Sequence, residues 1–160
     1  MEKFAQLQMN QQRPLLAFIF NIIKGRGMTE SIEDQLFKAA VKARENSYSP
    51  YSNFAVGSAV LTSKGEIFAG CNVENSSYGG AVCAERNAIF QGIIANGEME
   101  IEKVLVLTDP IAVPCGFCLQ VISEFANENT EIILCDPHGQ RKKHAFNEFL
   151  PFPFNKESLP

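Results

Sequence analysis

Three cysteines and one glutamate carry most of the chemistry legible in this sequence. Cys83 stands in GGAVCAERNAIF (residues 79–90), two residues before Glu85 and three before Arg86. Cys115 and Cys118 stand in VPCGFCLQV (residues 113–121). At i and i+3 on a helix, two side chains share one face, so two sulfurs can reach one ion. A C-x-x-C alone is explained as well by a redox pair or by chance as by zinc. Pro114 stops the preceding segment and puts the two cysteines in the first turn of a helix. Backbone N–H groups and the helix dipole favour thiolates there. Cys83 also opens a helix. Two such helix starts aimed at one spot would gather three thiolates. Three protein ligands and an open fourth position is the arrangement of a catalytic zinc. A structural zinc would need one more ligand. Cys135, His138 and His144 are the candidates, and none is closely spaced to the pair. Both histidines read better as surface or turn residues.

Glu85 is about 200° round a regular helix from Cys83, so the two do not share a face. In a first turn this matters less, because a glutamate can reach the space beyond the helix end. There it can take a proton from a metal's water and hand it on as general base and acid. Zinc with three thiolates carries a net negative charge, which opposes ionising that water. Arg86 is the cation best placed to offset it.

The elements that would position these groups follow from periodicity and turn residues. Residues 31–46 read as a helix capped by Ser31, with Leu36, Phe37, Ala40 and Val41 on its buried face. Residues 46–53 are a Ser/Pro loop. Residues 54–63 and 66–73 read as a hairpin around the turn at 63–66. A polar loop, 74–80, leads to a helix over 83–95. Residues 104–109 and 130–136 are apolar runs suited to strands buried on both faces. A second short helix spans 115–126 between them. Cys71 and Cys135 fall on strands as small buried hydrophobes. The apolar, proline-broken tail, FNEFLPFPF, should dock on the domain or a neighbour. The order of elements gives an α/β sandwich, a mixed sheet with helices on its faces, whose strand–helix–strand–helix–strand part runs parallel.

The chain has 160 residues, 46% of them hydrophobic, enough for one domain with a full core. Its net charge is −4, and no long basic block appears. Small uncharged ligands suit that balance better than nucleic acid. Five cysteines in a chain this long point to free or metal-bound thiols in a reducing, cytoplasmic setting. The apolar run LLAFIFNII (residues 15–23) is too short to span a bilayer, which takes about 20 residues. It reads as a short helix that packs on the domain or on another subunit, or as a weak surface anchor. The domain is expected over residues 29–160, with residues 1–28 as an extension.

CAERNAI with PCGFCLQ resembles the zinc-dependent cytidine deaminases in their three-cysteine, small-subunit form. SNFAVGSAV (residues 52–60) and GCNVENSSYGG (residues 70–80) are similar to further segments of that family, in the same order. The resemblance covers roughly residues 30–154. It implies a three-layer α/β/α sandwich with a mixed five-stranded sheet and one Zn²⁺ held by Cys83, Cys115 and Cys118. Glu85 would move the protons, as in zinc deaminases generally. Phe54 would pack on the pyrimidine, Asn72 and Glu74 would hold a sugar hydroxyl, and the backbone of Ala84 would read the base edge. Arg86 would bond the cysteine sulfurs. The resemblance also implies a homotetramer with shared active sites, to which Tyr78 and the tail residue Phe154 contribute. Leu119 stands where the family usually carries an arginine, which leaves Arg86 as the main side-chain cation beside the thiolates. The implied activity is hydrolytic deamination of cytidine and 2′-deoxycytidine to uridine products and ammonia, a step of pyrimidine salvage. A deaminase of a nucleoside-like compound such as blasticidin S is the nearest alternative. A polynucleotide-editing deaminase and a non-catalytic zinc module are the others. The Asn72–Glu74 pair, the acidic balance and Glu85 argue against these in turn.

Overall fold

The structure is a computed structural model and describes residues 30–159. The whole of the expected extension, residues 1–28 with the apolar run at 15–23, lies outside the described residues. Helix α1 spans Ile32–Arg44, strand β1 Gly57–Thr62, β2 Ile67–Cys71, helix α2 Ala84–Asn96, β3 Ile101–Leu107, helix α3 Gly116–Phe125, β4 Ala126–Cys135 and β5 Arg141–Ala145. The five strands form one mixed sheet in the order β2-β1-β3-β4-β5. β3 and β4 pair in parallel, and the other neighbours are antiparallel. β2, β3 and β4 therefore all run in one direction, as expected for the strand–helix–strand–helix–strand part. Among the described residues no helix is long and apolar enough to cross a membrane.

The layers follow from the two-residue period of the strands. Val60, Val104, Val106, Ile132 and Leu134 point to one face, where they meet Ala88 and Ile89 of α2 and Ile122 of α3. Ala59, Leu61, Leu105, Leu107, Ile133 and Cys135 point to the other, where Leu36 and Ala40 of α1 cover them. Each fully buried Leu or Ile contributes about 1.5–3 kcal/mol, so both cores help hold the sheet between its helices.

The fifth strand has no hydrophobic pattern. RKKHA pairs with β4 at the sheet's edge, where lysines protect an open ladder. Polar contacts hold it instead. Arg141 meets Asp34 at 2.7 Å, lies over the Phe37 ring at 5.2 Å, and Lys143 pairs with Glu33. β1 begins at Gly57, three residues later than the apolar pattern suggests, because side chains rather than a neighbouring strand take up part of the backbone before it.

Gly70 on β2 lies under α2. A Cβ there would fall 2.5 Å from the Ala88 nitrogen and 2.6 Å from the Ala84 oxygen. Both are backbone atoms of the helix that begins at Cys83, so neither can move without moving the site. Gly70→Ala is expected to cost about 1–3 kcal/mol of stability through overpacking, read as a lower urea midpoint with an unchanged slope.

Candidate active site

Cys83 and Cys115 are the N-cap residues of α2 and α3. Both have extended backbones, and neither side chain makes a capping hydrogen bond. A serine or aspartate would spend its oxygen on the helix; the cysteines keep their sulfurs free. Cys118 lies in the first turn of α3. The three sulfurs converge: Cys83 to Cys115 is 3.8 Å, Cys115 to Cys118 is 3.5 Å, and all three lie within 4.8 Å of one another. Cys118 is buried, Cys83 half-buried and Cys115 exposed, so the cluster is open on one side.

These sulfurs fit a zinc ion. Tetrahedral ligation at a zinc–sulfur distance of about 2.3 Å sets two sulfurs about 3.8 Å apart, close to the two spacings observed. Their ionisation without metal points the same way. A hydrogen bond from Cys118, helped by Arg86, holds the Cys83 thiol down to about 5. Cys118 is pushed far up, chiefly by that same bond to the Cys83 thiolate, and keeps its proton. Arg86 Nη2 donates to Cys83 Sγ at 3.5 Å and to the Ala81 carbonyl at 3.3 Å. Its Nε is buried with no partner. Neither histidine belongs to the cluster. His144 Nδ1 pairs with Glu148 at 3.1 Å, and His138 sits in the turn organised by Asp136.

Glu85 is 4% exposed. Burial raises its carboxyl above the ordinary carboxylate range, and the Cys83 thiolate pushes the same way. It opens into a cavity of about 420 Å³ whose lining includes Phe54, Asn72, Glu74, Cys83 and Cys115. That volume suits a small molecule. Asn72 is fixed by its surroundings: its Oδ1 accepts from Ser47 Oγ at 2.6 Å and Val56 N at 2.8 Å, and its Nδ2 donates to the Phe54 carbonyl at 2.9 Å. One Nδ2 hydrogen remains. Glu74 accepts from Tyr51 N, Ser52 N and Ser52 Oγ. These bonds, the Ser52 hydroxyl foremost, hold its carboxyl below the usual range.

Three of the six expected substrate-binding residues lie apart from the cavity lining. Ala84 is fully buried behind it. Tyr78 is 80% exposed and meets Tyr51 edge-on at 6.2 Å, on an adjoining surface. Phe154 is 60% exposed on α3, where the Gln120 amide grips its backbone, Nε2 to O at 2.7 Å and Oε1 from N at 3.3 Å. The tail thus docks as expected, through a glutamine that spacing alone did not single out. Ser52 and Thr108 also line the cavity and were not anticipated; a hydroxyl in a loop carries no signal until its partners are known. Cys71 is only partly buried, because β2 is an edge strand, and its thiol meets the Asn46 carbonyl at 3.4 Å. Leu119 packs in the apolar core and takes no part in the cavity.

Comparison with known proteins agrees with this geometry. Residues 30–134 match the family described as the cytidine and deoxycytidylate deaminase zinc-binding region. A cytidine deaminase from Sporosarcina psychrophila is 40% identical over 129 residues, covering 79% of this chain and 93% of its own. The crystal structure of a cytidine deaminase from Burkholderia pseudomallei superposes with a TM-score of 0.69 at 39% identity, over 79% of this chain and all of the other. A blasticidin-S deaminase from Bacillus cereus is 26% identical over 111 residues, 63% of this chain and 77% of its own.

The raised Glu85 has a consequence for the metal-free protein. The folded chain holds that proton more tightly than the unfolded chain. The stability that this group contributes is therefore fully present below the ordinary value of 4.5 and is lost as pH rises through the raised value. Glutamine never ionises, so Glu85→Gln is expected to raise the melting temperature of metal-free protein at pH 7. The gain should shrink as the pH is lowered towards 4 in a series of calorimetric scans.

Proposed function

The chain belongs to the cytidine and deoxycytidylate deaminase family and is a zinc-dependent hydrolytic deaminase; from that premise we propose that its substrates are free cytidine and 2′-deoxycytidine. The observation that carries this reading is one cavity that joins a three-sulfur cluster and a buried carboxyl to a phenylalanine and an Asn–Glu pair. Phe54 packs on the pyrimidine. The unspent Nδ2 hydrogen of Asn72 and a free acceptor site on Glu74 take a sugar hydroxyl, which favours a nucleoside over a bare base. Ala84 reads the base edge through its backbone.

Cys83, Cys115 and Cys118 hold the zinc, which when bound brings the ionisation of water near neutral pH. Glu85 does the proton work. Its raised pKa suits a group that must both accept and release a proton near pH 7. It takes up the two protons that the attacking water gives up, passing one to the ring nitrogen beside the amino-bearing carbon and the other to the amine, which leaves as ammonia as the water's oxygen becomes the product carbonyl. Its burial keeps bulk water from competing for those protons. Arg86 lowers the negative charge that three thiolates would impose on the site. Residues 29–160 serve as the catalytic domain and residues 1–28 as an appendage. The free cysteines among the described residues support a reducing, cytoplasmic location.

A blasticidin-S-like substrate is the second reading, supported by the 26% identical relative. The higher identity to cytidine deaminases and the sugar-binding pair favour the first. Purified protein loaded with zinc is expected to consume cytidine, followed by loss of the amino-pyrimidine absorbance. Glu85→Gln should keep one zinc per chain and lose about 10²–10⁴-fold in kcat. Zinc-loaded wild type that leaves cytidine untouched and deaminates blasticidin S would reverse the order of the two readings.

A homotetramer with shared sites is the assembly we propose. Tyr78 at 80% exposed, Phe152 at 91% and Phe154 at 60% are large apolar side chains that call for a partner surface. Light scattering should give four times the chain mass. Phe154→Ala is expected to raise KM while leaving zinc content unchanged, and a fully active monomer would refute the shared site.

A further inference from the structure

Phe54 forms a wall of the cavity, yet it stands outside β1 and no neighbouring strand holds it. Its backbone is gripped by two side chains instead. Its N–H donates to Ser52 Oγ at 3.0 Å, and its carbonyl accepts from Asn72 Nδ2 at 2.9 Å. Ser52 has a single hydroxyl proton and gives it to Glu74 Oε1. Its oxygen is then left with lone pairs facing the Phe54 amide. Glu74 Oε2 meanwhile takes the N–H groups of Tyr51 and Ser52 at 2.8 and 3.3 Å.

Between Ser52 and Phe54 stands Asn53, with φ +55°, the one non-glycine residue in the left-handed region among the described residues. Its N–H returns to the Ser49 carbonyl at 3.0 Å. Asparagine adopts this conformation more readily than other non-glycine residues, and its surroundings can lock it there. Here they do: six hydrogen bonds hold the turn, and three of them end on one carboxylate.

We propose that Ser52 is a positioning residue that relays the hold of Glu74 to Phe54. The relay runs from the carboxylate through the serine hydroxyl to the amide of the residue that packs on the base. A carboxylate has about four acceptor sites, and three of those on Glu74 are filled from this turn, which leaves one for a ligand hydroxyl. Sugar recognition and base stacking thus share one anchor. This rests on the nucleoside reading above. A loosened wall weakens ground state and transition state alike, so the signature is KM without kcat.

The test compares wild type, Ser52→Ala, Ser52→Thr, Phe54→Ala and the Ser52→Ala/Phe54→Ala double variant, each loaded with zinc, on cytidine. Ser52→Ala is expected to raise KM about three- to tenfold with kcat little changed. Threonine should restore it. The double variant should fall clearly short of the product of the two single penalties, because both loosen one ring. Amide hydrogen exchange reads the relay without turnover: the Phe54 N–H should lose protection in Ser52→Ala and regain it in Ser52→Thr. A wild-type KM in Ser52→Ala, multiplying penalties in the double variant, or a Phe54 amide that stays protected would overturn the relay. If Phe54→Ala alone leaves KM unchanged while Ser52→Ala deprotects the amide, the role of Phe54 in binding the base falls, and the relay's part in binding falls with it.

Discussion

Three sulfurs within 4.8 Å of one another cannot all be anions unless a cation stands among them. A pair of unit charges 4 Å apart costs about 4 kcal/mol at the effective dielectric of a protein surface. Without metal the cluster accordingly ionises at Cys83 and keeps its proton at Cys118. With a divalent cation every sulfur becomes a ligand. The fold supplies what that arrangement demands. Two helices must begin side by side, so the strands that feed them, β2 and β3, must run the same way. β1 lies between them, antiparallel to both, and leaves room on one face for α2 and α3 together. Gly70 then lets β2 approach the first turn of α2, where any side chain would displace the helix that begins at Cys83.

Two carboxylates face one cavity and are displaced in opposite directions. Burial and the neighbouring thiolate raise Glu85, whereas the Ser52 hydroxyl and two backbone N–H groups lower Glu74. Environment separates the tasks proposed for them: the raised group suits proton exchange and the lowered group suits an acceptor's role. The two are not interchangeable despite their identical side chains. Glu85 owes its state to a dry helix start and Glu74 to a hydrogen-bonded turn. A solvent path to Glu85 would abolish the first condition without touching the second.

The sulfur cluster was legible in the sequence because ligand spacing is a local property. A cysteine at each helix start and a third one turn along fix three positions once the helices are recognised, and recognition needs only Pro114 and the apolar period that follows. The strands of the core were legible for the same reason. β5 was not, because RKKHA carries no apolar alternation and owes its place to Arg141 and Lys143 meeting the first turn of α1 across more than a hundred residues. Asn72 was legible as a site residue only through resemblance, and its structural work was hidden. It replaces strand partners for Phe54 and Val56, which is why the apolar run from residue 54 does not begin a strand until Gly57. The Gln120 clasp on Phe154 was hidden too, since a side-chain amide can mimic a peptide group at any separation along the chain.

Leu119 shows how a departure from a family pattern acquires a physical meaning. From sequence, a leucine where an arginine is usual reads as a cation lost beside the thiolates. In the fold, position 119 contributes to the apolar core with Ile122, Val106 and Leu134, while Cys118 one step back meets the other sulfurs. The leucine therefore adds buried area under α3, the helix that carries two of the three sulfurs. The electrostatic burden falls on Arg86. Its guanidinium ties the Ala81 carbonyl to the Cys83 sulfur, joining the loop before α2 to the cluster itself. Arg86 also belongs to the helix that Cys83 caps, so its aim is set by the same turn that sets the sulfur. Charge balance and ligand position are thereby fixed by one element, and a shift of that turn would disturb both at once.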